Sequence, residues 1–454
     1  MSSTHLPADF SGASQQTSRV NVPAQLRIRQ AVIAALSLLV ALVGFCAYRS
    51  YATVVQTIGK DSEPSIVAAE NIRSTLSDAH TSIINVFLTG EGPDGPGATE
   101  YRKSMAQAND HLVAAAQNIT YGDEERRPIL DIMDHLSEYQ RLIGLAQAPG
   151  GNLKALGQAD DLMRERIAPA AEALAQVNFE HLDTAFTDGR MTAHRWLYAF
   201  IALSLLLLAV LLDTQRYVYL SFRRLINPAI AAGTLLLILA VGMFSIQAAN
   251  VMSSMRVAKE DAFDSVYALS QAQAVAYSAN AQESVYLLTQ DKDEQTRQTA
   301  LFKDSAHRLF SVDMANVAQL PADLKSLQGQ GLLGNELANI TFDGEDAAAK
   351  ATLAGWLDYV RIDRQIRALE AAGRHKDAVA LCLGTQPGQS DWAFERFVKA
   401  LLKTMDINQT QFDLAIGRAF GEVRWLWVLL LPALLCPLLG SLFGLQQRLA
   451  EFRE

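Results

Sequence analysis

Basic surplus, cysteine and proline are all scarce in this 454-residue chain, which has a formal charge of −9, 3 cysteines and 13 prolines. Without a basic stripe there is no face to neutralise phosphates, so nucleic acid is not an expected partner. Cys46 and Cys436 lie in apolar blocks and Cys382 stands alone in a polar stretch. No disulfide, C-x-x-C pair or Cys/His zinc cluster follows from that spacing, and Cys382 reads as a small buried hydrophobe. Walker, G-x-S-x-G and kinase signatures are missing, so no enzymatic activity is expected. The histidines are dispersed, and the acidic runs at Asp291 and Asp343 lack the alternating oxygen ligands of a calcium loop. No metal and no other cofactor is expected.

What the chain does have is 50% hydrophobic residues, concentrated in four uncharged blocks at Ala31–Tyr48, Trp196–Leu212, Leu225–Ile246 and Trp425–Leu445. Each is near the roughly 20 residues that cross a hydrocarbon core. Arg19, Arg27 and Arg29 precede the first block and would suit a signal peptide, but no small-residue cleavage site follows it. Lysine and arginine near the membrane place the N-terminal tail, the connector with Arg216, Arg223 and Arg224, and the C-terminal tail on the cytoplasmic side. The expectation is a multi-pass protein of the cell membrane with both termini cytoplasmic. Its segments are a tail (1–30), spans at 31–48, 196–212, 225–246 and 425–445, extracytoplasmic modules at 49–195 and 247–424, a cytoplasmic loop (213–224) and a second tail (446–454). No ionisable residue falls inside a span, which argues against a transporter.

The chain repeats itself. At an offset of 200, Asp61, Ser65, Ala79, Leu88 and Thr89 meet Asp261, Ser265, Ala279, Leu288 and Thr289. Further on, Asn118-Ile-Thr-Tyr121 returns as Asn339-Ile-Thr-Phe342, Tyr139 and Arg141 return as Tyr359 and Arg361, and Arg195-Trp196-Leu197 returns as Arg424-Trp425-Leu426. The offset grows only near Leu320–Gly334 and Gly373–Ser390, where turn residues gather, as insertions in loops would have it.

Turn signals at Gly90–Gly97, Gly122-Asp123 and Pro149–Asn152 cut the first module into four amphipathic segments. Thr99 is a candidate cap for the second, which carries Met105, Ala108, Leu112 and Ala115 on one face. With no strand alternation, the fold class is all-α: four transmembrane helices with two tandem extracytoplasmic up-down four-helix bundles, related by internal duplication. A helix running from Leu153 to Leu212 would be on the order of 90 Å long and could carry a small piston, tilt or rotation.

With a span, the helix run Asp61–Arg73, three further helices and a returning span, each module resembles the four-helix-bundle sensor region of bacterial chemoreceptors and sensor kinases. The duplicated four-span layout is also similar to the GlnX-type membrane proteins of actinobacteria, on the residues Gly373–Cys382, Pro387–Ser390 and Asn408–Asp413. That resemblance implies relaying amino-acid availability, sensed with an extracytoplasmic binding protein, to a soluble serine/threonine kinase. The chemoreceptor resemblance implies Arg73 as a ligand contact, since such bundles use first-helix arginines to hold a carboxylate and a guanidinium suits that geometry. The second copy has Gln273 there.

The expected function is therefore a non-enzymatic transmembrane receptor. It would sense an extracytoplasmic ligand or binding protein and pass the message to a separate cytoplasmic signalling protein, docked at Arg216, Tyr219, Arg223 and Arg224. Anchoring of the same residues to anionic lipid of the bilayer is an equal reading. Because chemoreceptor modules pair, either a homodimer or an internal pseudo-dimer of the two copies is expected. The alternative is a scaffold that organises a membrane complex without a ligand.

Overall fold

The computed structural model describes residues 22–92, 94–148, 152–222 and 227–450, and every element among them is helical. In chain order these are α1 (Val22–Gln56), α2 (Glu63–Thr89), α3 (Pro96–Gln117), α4 (Asp123–Gln147), α5 (Leu153–Leu162), α6 (Ala168–Phe222) and α7 (Pro228–Arg256). There follow α8 (Asp264–Leu288), α9 (Lys292–Leu309), α10 (Leu332–Ala338), α11 (Glu345–Ala371), α12 (His375–Cys382) and α13 (Ser390–Ala450). Four helical stretches, Val22–Lys60, Leu153–Ser221, Pro228–Leu288 and Ser390–Gln447, are long and apolar enough to cross a membrane. The protein is thus an all-helical chain with four candidate membrane-spanning helices.

The chain divides into two compact units, residues 1–48, 195–246 and 425–454 in one and residues 49–194 and 247–424 in the other. The first is built from the apolar blocks. Gly44 of α1 sits where a Cβ would meet Leu430 of α13 and Phe200 of α6, and Phe200 lies 4.7 Å from Phe244 of α7, ring centre to ring centre. Trp196, Tyr198, Trp425 and Trp427 are exposed, as an aromatic girdle requires. Arg29 pairs with Asp213 and lies over the Tyr217 ring. Helix α13 continues through Pro432 and Pro437. The start of the expected third span, at Leu225 and Ile226, lies outside the described residues.

The second unit has two apolar clusters. One gathers Ile72, Ile83, Met105, Ile132 and Tyr139 from α2, α3 and α4, and the other gathers Trp356, Tyr359, Phe394 and Phe397 from α11 and α13 with Phe302 of α9. Helices α2 and α8 pack directly on each other, with the Thr81 hydroxyl donating to the Tyr277 carbonyl (3.3 Å) and the Ser284 hydroxyl to Asn85 Oδ1 (2.7 Å). Phe179 stacks on Tyr267 at 4.1 Å, and the buried Lys259 ammonium is held by Asp183 and Asp264.

Three features depart from the sequence expectations. Thr99 lies inside α3, which starts at Pro96 with Gly95 as its cap, because proline suits the first turn of a helix, where its missing N–H is not needed. The helix expected from Leu153 onward runs on to Ser221 but carries a π turn at Met163–Ile167, and similar turns occur at Thr57–Ser62 and Val257–Phe263. The added segments of the second half are not bare loops. They fold into two short 3-10 turns, α10 and α12, and α12 buries Cys382 against α8.

The helix starts at Asp123 and Glu345 share one device. Glu125 Oε2 accepts the backbone N–H groups of Thr120 and Tyr121 (2.7 and 3.1 Å), and Glu345 Oε2 accepts those of Thr341 and Phe342 (2.6 and 2.9 Å). Glu345 also takes a bond from Asn408 Nδ2 (2.7 Å) in a fully buried setting, whereas Asn178 turns to the Leu174 carbonyl instead. Removing a buried carboxylate that satisfies three donors, one of them the buried Asn408 amide, is expected to cost about 2 kcal/mol. Glu345→Ala should therefore lower denaturant stability more than Glu125→Ala, and the reverse order would overturn this account.

A candidate ligand cleft

Arg73 lies on α2 and is 5% exposed. Its guanidinium approaches the Glu70 carboxylate to 2.9 Å, yet Nε, Nη2 and both carboxylate oxygens lack an aligned hydrogen bond. Burial pushes the Glu70 carboxyl above its usual range, with Arg73 opposing. A buried pair left with unused donors and acceptors is set to accept a polar partner.

Arg73 faces a cleft of about 270 Å³ in the second unit, walled by α2, by the run from α5 through the π turn into α6, and by α8 and α9. Seven residues above Arg73 on α2, His80 bonds Tyr139 Oη through Nδ1 (3.1 Å) and Asp160 Oδ1 through Nε2 (3.0 Å). All three side chains are buried. With Nε2–H donating to Asp160, Nδ1 is left to accept the tyrosine proton. Burial raises the Tyr139 phenol well above its ordinary value, which keeps that proton in place.

The π turn directs Met163 and Arg164 to the cleft, and Arg164 pairs with Asp161. Across the opening, Gln282 bridges Ser278 and Ser305 (3.1 and 3.2 Å), and Arg308 lies 3.7 Å from Glu172. The wall thus carries three guanidiniums, of Arg73, Arg164 and Arg308, against three carboxylates, of Asp160, Glu172 and Asp304. The size suits a molecule smaller than a drug, and the balanced charge suits one that carries both signs.

The other residues singled out in the sequence do not join Arg73. Arg216 and Tyr219 are exposed on the part of α6 that belongs to the first unit, and Arg223 and Arg224 lie outside the described residues. Sequence reasoning missed His80 and Asp160, which stand 80 positions apart. The available signal was the recurring tyrosine: Asn280 stands at the place of His80, and its Nδ2 reaches Tyr359 Oη at 3.5 Å.

An all-helical chain with four membrane-competent helices and a buried polar cleft in its second unit has the build of a membrane-bound sensor. Residues 54–187 match the family described as the actinobacterial sensor domain. That stretch carries Arg73, His80, Tyr139 and Asp160, so it supplies one wall of the cleft, while α8 and α9 supply the other. Comparison with curated proteins and with solved structures returns no match.

Proposed function

We propose that the chain is a non-enzymatic transmembrane receptor that holds a small zwitterionic solute of the amino-acid type in the Arg73 cleft and relays its presence to a separate cytoplasmic partner. The observation that carries this reading is the cleft itself, with balanced charge and a buried guanidinium, paired with Glu70, within the stretch that matches a sensor domain. Helices α1, α6, α7 and α13 each supply residues to both compact units, which offers a covalent route for the relay. The resemblance to GlnX-type proteins adds amino-acid availability as the signal, an extracytoplasmic binding protein as its carrier and a serine/threonine kinase as the receiver.

Internal duplication, with one helical bundle in each half, is part of the same proposal. It is supported by the π turns 200 positions apart, by the like roles of Glu125 and Glu345, and by the buried tyrosines 139 and 359. The contact of α2 with α8 then makes the pair an internal pseudo-dimer with the cleft at its seam.

The full chain in nanodiscs, screened by thermal shift against the common amino acids and candidate binding proteins, should respond to at least one. Arg73→Ala and Arg73→Lys should each weaken that response at least tenfold, about 1.4 kcal/mol, because neither restores a fork of donors. A chain that responds to none of them leaves the scaffold reading in place. Both tails are assigned to the cytoplasm, so reporters fused after Gly150 and after Arg224 should label opposite sides; labelling on the same side would remove this topology.

A further inference from the structure

A second cavity, of about 420 Å³, lies wholly in the second half between α9, α11 and the segment 310–315. Its floor is apolar: Phe302, Phe310 and Trp356 are buried there, and Leu357, Val360 and Met314 complete the lining. Its rim is basic, with Lys303, His307, Arg361, Arg364 and Arg367 against Asp313 and Asp363 alone. Lys303 and His307 stand one helical turn apart on α9, both exposed.

Arg367 is fixed by its neighbours. It donates from Nε to Asp363 (2.9 Å) and from Nη1 to Thr299 (2.9 Å), and its guanidinium carbon sits over the rings of Tyr286 and Phe302 at 4.4 and 4.8 Å. Its Nη2 nitrogen faces Asp363 Oδ1 at 2.9 Å, so the two side chains form a two-pronged ion pair. A guanidinium clamped in this way loses little freedom when a ligand arrives.

We infer that this cavity binds a small organic anion, a carboxylate on an aromatic or branched aliphatic body, with the body on Phe302, Phe310 and Trp356 and the carboxylate at the rim of Lys303, Arg364 and Arg367. The site is independent of the Arg73 cleft, which is lined by other faces of the molecule and carries balanced charge. Part of the rim recurs in the first half, Lys303 as Lys103 and Arg361 as Arg141, but its remaining arginines do not. At the offset of 220 that relates Tyr139 to Tyr359, the first half has Leu136, Gly144 and Gln147 in place of Trp356, Arg364 and Arg367. The segment 310–315 that closes the cavity also leads into the added turns.

The test uses the full chain in phosphatidylcholine nanodiscs and three probes of one shape: phenylacetate, phenylacetamide and 2-phenylethylamine. Isothermal titration should show saturable binding of phenylacetate, at least tenfold tighter than either the neutral or the cationic probe. The double variant Lys303→Gln, Arg364→Gln should weaken phenylacetate at least tenfold. Both side chains are exposed and the Arg364–Asp313 pair is a surface contact, so the fold does not depend on them. Arg73→Ala should leave phenylacetate binding unchanged, which separates this site from the cleft. Equal binding of the three probes, no saturable binding of phenylacetate in the millimolar range, wild-type affinity in the double variant, or weakened phenylacetate binding in Arg73→Ala would each overturn the proposal.

Discussion

The melting temperature of the purified chain is expected to fall as pH rises from about 5 to 8, opposite to the usual acid sensitivity of proteins that rely on ionised carboxylates. The cause lies in the second half. Glu283 is fully buried beside Asp363 and Tyr359, with Ser390 donating to it at 2.7 Å, and burial pushes its carboxyl from 4.5 up to about 8. Glu336 is likewise raised to about 8, by burial and by Glu345, and Asp391 to about 7, by burial and by Glu395. Where the folded-state value lies above the unfolded one, the stabilising contribution is fully present below the unfolded value, 4.5 for the glutamates, and it is lost as pH climbs through 8. A tenfold change in an acid constant corresponds to about 1.4 kcal/mol, so the combined loss amounts to several kcal/mol. Burial also raises Glu70, Asp78, Asp264 and Asp363, which adds in the same direction, whereas Glu138, lowered by Arg141, is exposed. Glu283→Gln should melt near wild type at pH 5 and clearly above it at pH 8. A wild-type melting temperature that holds or rises over this interval would contradict the assignment.

This chemistry was hidden in the sequence for a physical reason. At the offset of 200 the place of Glu283 is Ile83, and at 220 that of Asp363 is Ile143, both core residues of the first half. A lone acid on an amphipathic helix reads as solvated until its neighbours are known. Only α8, α11, α12 and α13 together, the last three contributing Tyr359, Cys382 and Ser390, bury Glu283.

Local signals were far more legible. Turns read from Gly90–Gly97 and Gly122-Asp123 coincide, to within two residues, with the breaks between the end of α2 at Thr89 and the start of α3 at Pro96, and between Gln117 and Asp123. The apolar face Met105, Ala108, Leu112 and Ala115 is buried. These features depend on a few adjacent residues and on a 3.6-residue period, which a sequence displays directly. The π turns were not legible, because one extra residue per turn changes neither composition nor the apolar stripe on either side. Arg73 was legible as a residue type at a position, but its pairing with Glu70 and its place opposite Gln282 and Arg308 belong to the tertiary structure.

Glycine looked ordinary in number, and its role in the membrane unit emerges only from packing. A Cβ on Gly233 of α7 would meet the Cys436 carbonyl oxygen at 2.6 Å, and one on Gly440 of α13 would meet the Ala229 carbonyl oxygen at 2.6 Å. Both obstacles are backbone, so neither can rotate aside. Asn227 fastens the same contact by donating from Nδ2 to the Gly444 carbonyl at 2.8 Å. Lipid tails give apolar helices no solvent-driven reason to associate, so close approach through small residues supplies the attraction. Gly440→Val is expected to cost about 4 kcal/mol, beyond the usual overpacking range, because two main chains must part. In a thermal scan of the detergent-solubilised chain that corresponds to a fall of about 4 °C. Gly233→Val should behave alike. Gly242 lies on the same helix with nothing within 4 Å of its Cβ direction, and Gly242→Ala should be neutral or slightly stabilising. If Gly440→Val melts with Gly242→Ala, the contact between α7 and α13 is not what holds the four apolar helices together.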